Sequence, residues 1–305
     1  AMWFEAMAFG WTSPWGYAGV GLMLHVLNAG LYAGLLRRAQ VRLGVAALAS
    51  GLFFMAPWAL ETLFWASCRF ELMACSAVLL ACHVGYGLRS ADQGRWGRAR
   101  FVGLVLASCL CKETSVALWL GMLVALRLAP ARWQQTIPPS LSRGVASALL
   151  AYMVTRAVVM LTFTSGDPLG GHRGNVLALL LSEGAAWNLV AHLQTIATPP
   201  LASGQEALGL LHVGVLGLGL VGALRGSLRT TSLALLVAFA TLLPALWIPR
   251  EAASLAGGRL LYMPTLFVTF TVATGWSRVG RWLGWHRSVV AVLLLASAGV
   301  SLSSG

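Results

Sequence analysis

From residue 14 onward the chain alternates long apolar runs with short polar stretches that carry most of its arginine. The runs fall near 14–36, 43–60, 70–88, 144–163, 206–224, 231–249, 259–276 and 288–302. Several approach the roughly 20 residues a helix needs to cross the hydrocarbon layer of a bilayer. The apolar–polar alternation of membrane barrel strands is absent from the sequence. The pattern predicts an all-α polytopic membrane protein with about eight full crossings.

One run, 101–129, does not fit a single crossing, because LCKETSVALWL puts Lys112 and Glu113 at its centre. Arginines stand on both of its sides: Arg95, Arg98 and Arg100 before it, Arg127, Arg132 and Arg143 after it. Cytoplasmic loops of membrane proteins are enriched in Lys and Arg. Placing both flanks inside requires the chain to go out and come back, so we expect a short helical hairpin turning at Lys112–Glu113–Thr114. The same rule puts Arg37, Arg38, Arg42 and Arg89 inside, with Arg225, Arg229, Arg278, Arg281 and Arg287.

Composition agrees with this reading. Of 305 residues, 58% are hydrophobic and only 10% charged, with a mean hydropathy of +0.77. A soluble domain is nearer a quarter charged. The net charge of +12 would suggest nucleic acid in a soluble protein, but loop arginine accounts for it here and no nucleic-acid partner is expected. Five cysteines, Cys68, Cys75, Cys82, Cys109 and Cys111, lie in or beside apolar runs and argue against a disulfide framework. The first three, at seven-residue steps, suggest one helix face.

The acids then sort to the other side. Glu5, Glu61, Glu71, Glu113, Asp167, Glu183, Glu206 and Glu251 map outside, and only Asp92 inside. With them stand Arg69, Lys112, Arg156, Arg173, Arg250 and Arg259. Charge close to hydrocarbon is expensive, so such groups pair or serve a ligand. Mixed signs suit an anionic phosphate beside hydroxyl-rich groups; Lys112, the only lysine, offers a compact point charge that Glu113 would hold. The stretch 164–205 is the one sizeable outer loop and contains an expected interfacial helix over 175–197. His172 and His192 stand in that loop as lone histidines. His25 and Asn28, one turn apart, should hydrogen-bond between helices or line a cavity.

These residues resemble a known family. LHVLNAGLYAGLLRR (24–38) resembles the H-x-x-N helix of the GT-C membrane glycosyltransferases. APWALETLFWASCRFELMA (56–74) is similar to a conserved stretch of the transmembrane O-mannosyltransferases with tetratricopeptide repeats and their bacterial relatives. LCKETSVALWL resembles their "SKE" hairpin, and GGRLLYMPTLF their "DRYLYLPSLG" element. The four stretches follow the family's order between residues 24 and 267.

The resemblance implies a transferase that takes a sugar from a polyprenyl-phosphate donor and passes it to a protein, lipid or glycan acceptor. Such an enzyme sits among membrane lipids, here a bacterial inner membrane with the site facing the periplasm. It assigns Glu61 and Glu71 as catalytic acids, with Lys112, Arg69, Arg259 and Tyr262 on the donor phosphate. Glu113, His25 and Asn28 would support them. No cofactor or metal ligand is named, and a divalent metal stays open. The chain departs from the pattern at Ala56, Gly258 and Glu71, which stand for His, Asp and Asp. The family's first helix and aspartate-bearing loop are not recognisable, so the 305 residues read as one GT-C-like domain truncated at both ends. Two other readings remain: a flippase of lipid-linked sugar, and a non-catalytic relative acting in membrane assembly.

Overall fold

The computed structural model describes residues 14–56, 62–63, 68–88, 94–130, 138–163, 183–197, 206–245 and 258–282. All regular elements there are helical. In chain order they are α1 (Pro14–Arg38), α2 (Leu43–Phe54), α3 (Arg69–Gly87), α4 (Arg95–Cys111), α5 (Thr114–Leu128), α6 (Pro139–Phe163), α7 (Glu183–Ala197), α8 (Glu206–Gly226), α9 (Leu228–Leu242) and α10 (Tyr262–Trp282). Short 3₁₀ turns at Leu243–Ala245 and Gly258–Leu261 flank the gap before α10.

Local chemistry sets several of these ends. Pro14 and Pro139 open α1 and α6, where a proline lacks only an amide proton the helix would leave unpaired. α1 stops where Gln40 takes a left-handed conformation at φ 60°. Its N–H reaches the Arg37 carbonyl while that of Val41 reaches Leu36, the paired bonds that close a helix C-terminus. Ser227 caps α9 by accepting from the Thr230 amide at 3.3 Å. α2 ends at Phe54, short of the expected residue 60, and residues 57–61 lie outside the described part.

The turn at residue 112 is a true reversal. α4 ends at Cys111, Lys112 is extended (φ −157°, ψ 134°), and α5 starts at Thr114. A continuous helix would hold residues 101 and 119 about 27 Å apart. Instead the Phe101 and Trp119 rings meet edge-on at 6.2 Å, and Trp119 Nε1 donates to Ser108 Oγ at 2.9 Å. α4 begins at Arg95, so the first arm is longer than the run 101–111 suggests. The arms have separate neighbours: α4 packs on α3 and α6, α5 on α9.

A principal core joins α1, α2, α3, α4, α5, α6, α9 and α10, with Leu72, Val105, Leu118 and Ala273 at its centre. Where α8 crosses α10 the backbones touch, and a Cβ on Gly275 would run into the Gly219 carbonyl. Gly121 gives α5 the same closeness to α9, since its Cβ would lie 2.6 Å from that of Ala240.

Sidedness follows from cross-links at one end. Arg38 NH1 donates to the His83 carbonyl, joining the ends of α1 and α3. Arg229 NH2 reaches Leu128 O, and Arg278 NH1 reaches Ala223 O. Gly85, Phe101 and Leu141 bring the end of α3 to the starts of α4 and α6. The described arginine-bearing loops thus gather at one end, and Lys112 lies at the other.

Two helices, Trp15–Arg38 and Arg69–Gly87, are long and apolar enough to cross a membrane. Leu43–Phe54, Thr114–Leu128 and Leu228–Leu242 are apolar but shorter. This is fewer than the eight full crossings the apolar runs predict; α2 and α9 end at Phe54 and Leu242, before the expected 60 and 249. The run 288–302 lies outside the described residues. In the loop 164–205 the described helix α7, Glu183–Ala197, falls within the expected 175–197, and residues 164–182 lie outside the described part.

Candidate functional site

α3 begins with two charged side chains that the bundle encloses. Arg69 and Glu71 are buried within the first turn, 2% and 1% exposed. Arg69 NH2 donates to the Tyr17 carbonyl at 2.6 Å, and its guanidinium lies 5.0 Å from the centre of the Tyr17 ring. That arrangement ties the start of α3 to the start of α1. A planar cation on an aromatic face with one forked donor on a carbonyl is a stable way to bury arginine.

Glu71 faces the hairpin turn. Lys112 Nζ lies 3.3 Å from its Oε1, and Thr114 Oγ1 donates to its Oε2 at 3.3 Å. At that distance the two side chains form an ion pair. Lys112 is also 3.7 Å from Glu113 Oε1. The two carboxylates differ in setting: the Glu71 side chain is 2% exposed and that of Glu113 62%. The buried partner fixes the ammonium, because a charge enclosed in protein interacts through a lower effective dielectric than one in water. The exposed carboxylate is the one that can meet a second molecule. Lys112, 24% exposed, stands between them.

A second polar group sits deeper. His25 Nε2 approaches the Phe54 carbonyl at 3.0 Å, and a carbonyl can only accept, so Nε2 carries the proton. In the neutral ring Nδ1 then accepts from the Tyr262 hydroxyl at 2.7 Å. The same hydroxyl accepts from Asn28 Nδ2 at 3.2 Å, which also donates to Leu72 O at 3.0 Å. Ser76 Oγ donates to Asn28 Oδ1 at 2.6 Å. Four helices, α1, α2, α3 and α10, are thereby fastened at one level.

The expected residues therefore divide into two groups joined by α3. Lys112, Glu113, Glu71 and Arg69 gather at the end opposite the arginine loops. His25, Asn28 and Tyr262 come together, as their spacing suggests, but with the Tyr262 hydroxyl 1% exposed as a residue and engaged on both sides. That geometry serves helix packing and does not present the hydroxyl to a phosphate. Glu61 and the side chain of Arg259 lie outside the described residues. His192 is buried on α7, and His172 is outside the described part. None of the five cysteines is in a disulfide. Among the described residues no three His, Cys, Asp or Glu side chains come together to hold a metal.

Three contributors were assigned no partner from the sequence. Thr114 follows the Lys–Glu pair directly and could have been suspected as a ligand of a neighbouring acid. Ser76 and Tyr17 gave no signal, since a serine in an apolar helix and an aromatic near a helix start are commonplace. No family model, curated protein or solved structure matches this chain.

Proposed function

We propose that this chain is a polytopic membrane glycosyltransferase that takes a sugar from a polyprenyl-phosphate donor at the end of the bundle bearing Lys112. The observation that carries the reading is the Lys112 ammonium, held at a chain reversal 3.3 Å from the buried Glu71 carboxylate and opposite the arginine loops. Burying a carboxylate to orient a lysine costs stability, which is reasonable where the lysine has an anion to meet.

The distribution of exposed residues supports the membrane part. Leu22, Met23, Val26 and Leu27 form one outward face of α1, and Leu150, Met153, Val154 and Val158 one of α6. Inward lie His25, Asn28, Arg69 and Glu71. Apolar outside and polar inside is the arrangement a lipid solvent favours.

In the proposed step an acceptor hydroxyl oxygen bonds to the anomeric carbon of the sugar. The bond from that carbon to the phosphate oxygen breaks, and its electron pair leaves with the polyprenyl phosphate. An outer carboxylate takes the hydroxyl proton; of the described ones Glu113 is exposed enough to do so, with Glu61 the other acid of this reading. Lys112 meets the charge on the departing phosphate, and Arg259 is the further cation of this reading, while Arg69 is buried against Tyr17. A positioned base contributes about 10²–10⁴-fold, and preorganised cations a comparable factor.

The test uses the full chain in proteoliposomes with a labelled polyprenyl-phosphate hexose. Lys112→Gln should lower donor consumption by about 10²-fold or more. Because it leaves Glu71 buried without its partner, the Glu71→Gln/Lys112→Gln pair is measured beside it, and should be equally inactive while remaining folded. Wild-type turnover in that double variant would refute the role of Lys112. Donor that crosses the bilayer unconsumed would mark a flippase, and donor neither moved nor consumed a non-catalytic protein.

A further inference from the structure

Among the described residues, the end of the bundle away from Lys112 carries a dense charge made of arginine alone, which the proposed transfer does not use. Arg37 and Arg38 close α1, Arg42 precedes α2, and Arg95, Arg98 and Arg100 occupy the first turns of α4. All six are exposed, and further exposed arginines stand at the matching ends of α5, α6, α8, α9 and α10. Glu71, Glu113 and Glu206 lie at the opposite ends of their helices. Three guanidinium groups are braced by helix-end carbonyls, Arg38 on His83, Arg229 on Leu128 and Arg278 on Ala223. Each such bond uses one of five N–H donors and leaves the rest of the fork for another acceptor.

We propose that this arginine-ringed end is a docking surface for anionic phospholipid headgroups of the leaflet it faces. The inference rests on the reading that these helices span a bilayer. Guanidinium forks match phosphate oxygens in pairs, and a ring of arginines beside apolar helix faces meets charge and acyl chain together. Trp96 adds to the fit: it is 70% exposed beside the Arg95 guanidinium, which lies 5.8 Å from its ring centre, as expected of an interfacial aromatic.

The full chain is purified in detergent, and binding of phosphatidylglycerol and phosphatidylcholine is compared by native mass spectrometry. Phosphatidylglycerol should be held in preference, and the preference should fade between about 0.1 and about 0.5 M NaCl as exposed charges are screened. Arg95→Gln/Arg98→Gln/Arg100→Gln should weaken its binding by about tenfold or more, and Arg37→Gln/Arg42→Gln should weaken it in the same direction. Arg156→Gln, well along α6 from the basic end, should not. The salt series needs no variant and stands even if a triple substitution fails to fold. Equal retention of the two lipids, a preference indifferent to salt, or loss with Arg156→Gln but not with the other substitutions would overturn the proposal. A chain that stays in the aqueous phase without detergent would refute the bilayer reading as a whole. Absence of lipid preference in a chain that integrates would refute this inference alone.

Discussion

At the scale of single residues, the polar groups of the interior are arranged so that most have a named partner. Tyr262 is the clearest case. Tyr262→Phe removes a donor to His25 and an acceptor for Asn28, and an unsatisfied buried group costs about 1–3 kcal/mol. We expect a lower melting temperature in detergent with little change in donor turnover; a selective loss of turnover at unchanged stability would show that the hydroxyl touches substrate. Glu71 gives the contrasting case. Removing one member of a buried ion pair costs more than removing both, so Glu71→Gln/Lys112→Gln should melt above Lys112→Gln alone. Equal melting of the two would mean that the 3.3 Å contact contributes nothing to stability. Sequence reading could nominate Lys112, Glu71 and Glu113 from their cost near hydrocarbon, but it paired Lys112 with Glu113, its neighbour in the chain. Which carboxylate is buried depends on where α3 meets the hairpin, and no local pattern encodes that.

At the scale of elements, helix existence was more legible than helix length. The break at Lys112 could be read from charge placement, because both flanks of the run carry arginine. The arms' different neighbours could not, since α5 packs on α9 through Gly121, and Ala240 lies far along the chain. That contact gives a sharp test. Gly121→Val would put a branched side chain into Ala240, and overpacking of this kind costs about 1–3 kcal/mol or more. The variant should be recovered from membranes in reduced yield and melt lower; native stability would mean the two helices are not in this register. At the end of α1, Gln40 sits at φ 60°, where glycine is unstrained. Gln40→Gly should leave stability unchanged or raise it by up to about 1 kcal/mol, read by the same melting experiment.

At the scale of the whole molecule, the arrangement has two unlike ends. Arginine crowds one, and the other holds Lys112, Glu113 and the enclosed Arg69 and Glu71. In a version whose five cysteines are replaced by alanine, Glu113→Cys and Arg42→Cys should be labelled by an impermeant maleimide from opposite faces of a sealed membrane. Labelling of both from one face would break the proposed orientation. The sequence map had put the arginine loops together, and the bonds from Arg38, Arg229 and Arg278 to distant helix ends place the described ones at one end.

By itself the sequence determined that the described residues are helical, where their main breaks fall, and that most of the arginine lies apart from the acids. These are properties of neighbouring residues: apolar run length, the expense of charge beside hydrocarbon, and the fixed backbone preferences of proline. Tertiary structure alone decided that Glu71 and not Glu113 anchors the lysine, and that Tyr262 is spent on His25 and Asn28. It also set Arg69 on Tyr17. Those outcomes depend on which helix faces come within about 3 Å of each other, the reach of a hydrogen bond. That distance is fixed by small residues at the helix crossings and by packing across separations of dozens to hundreds of residues.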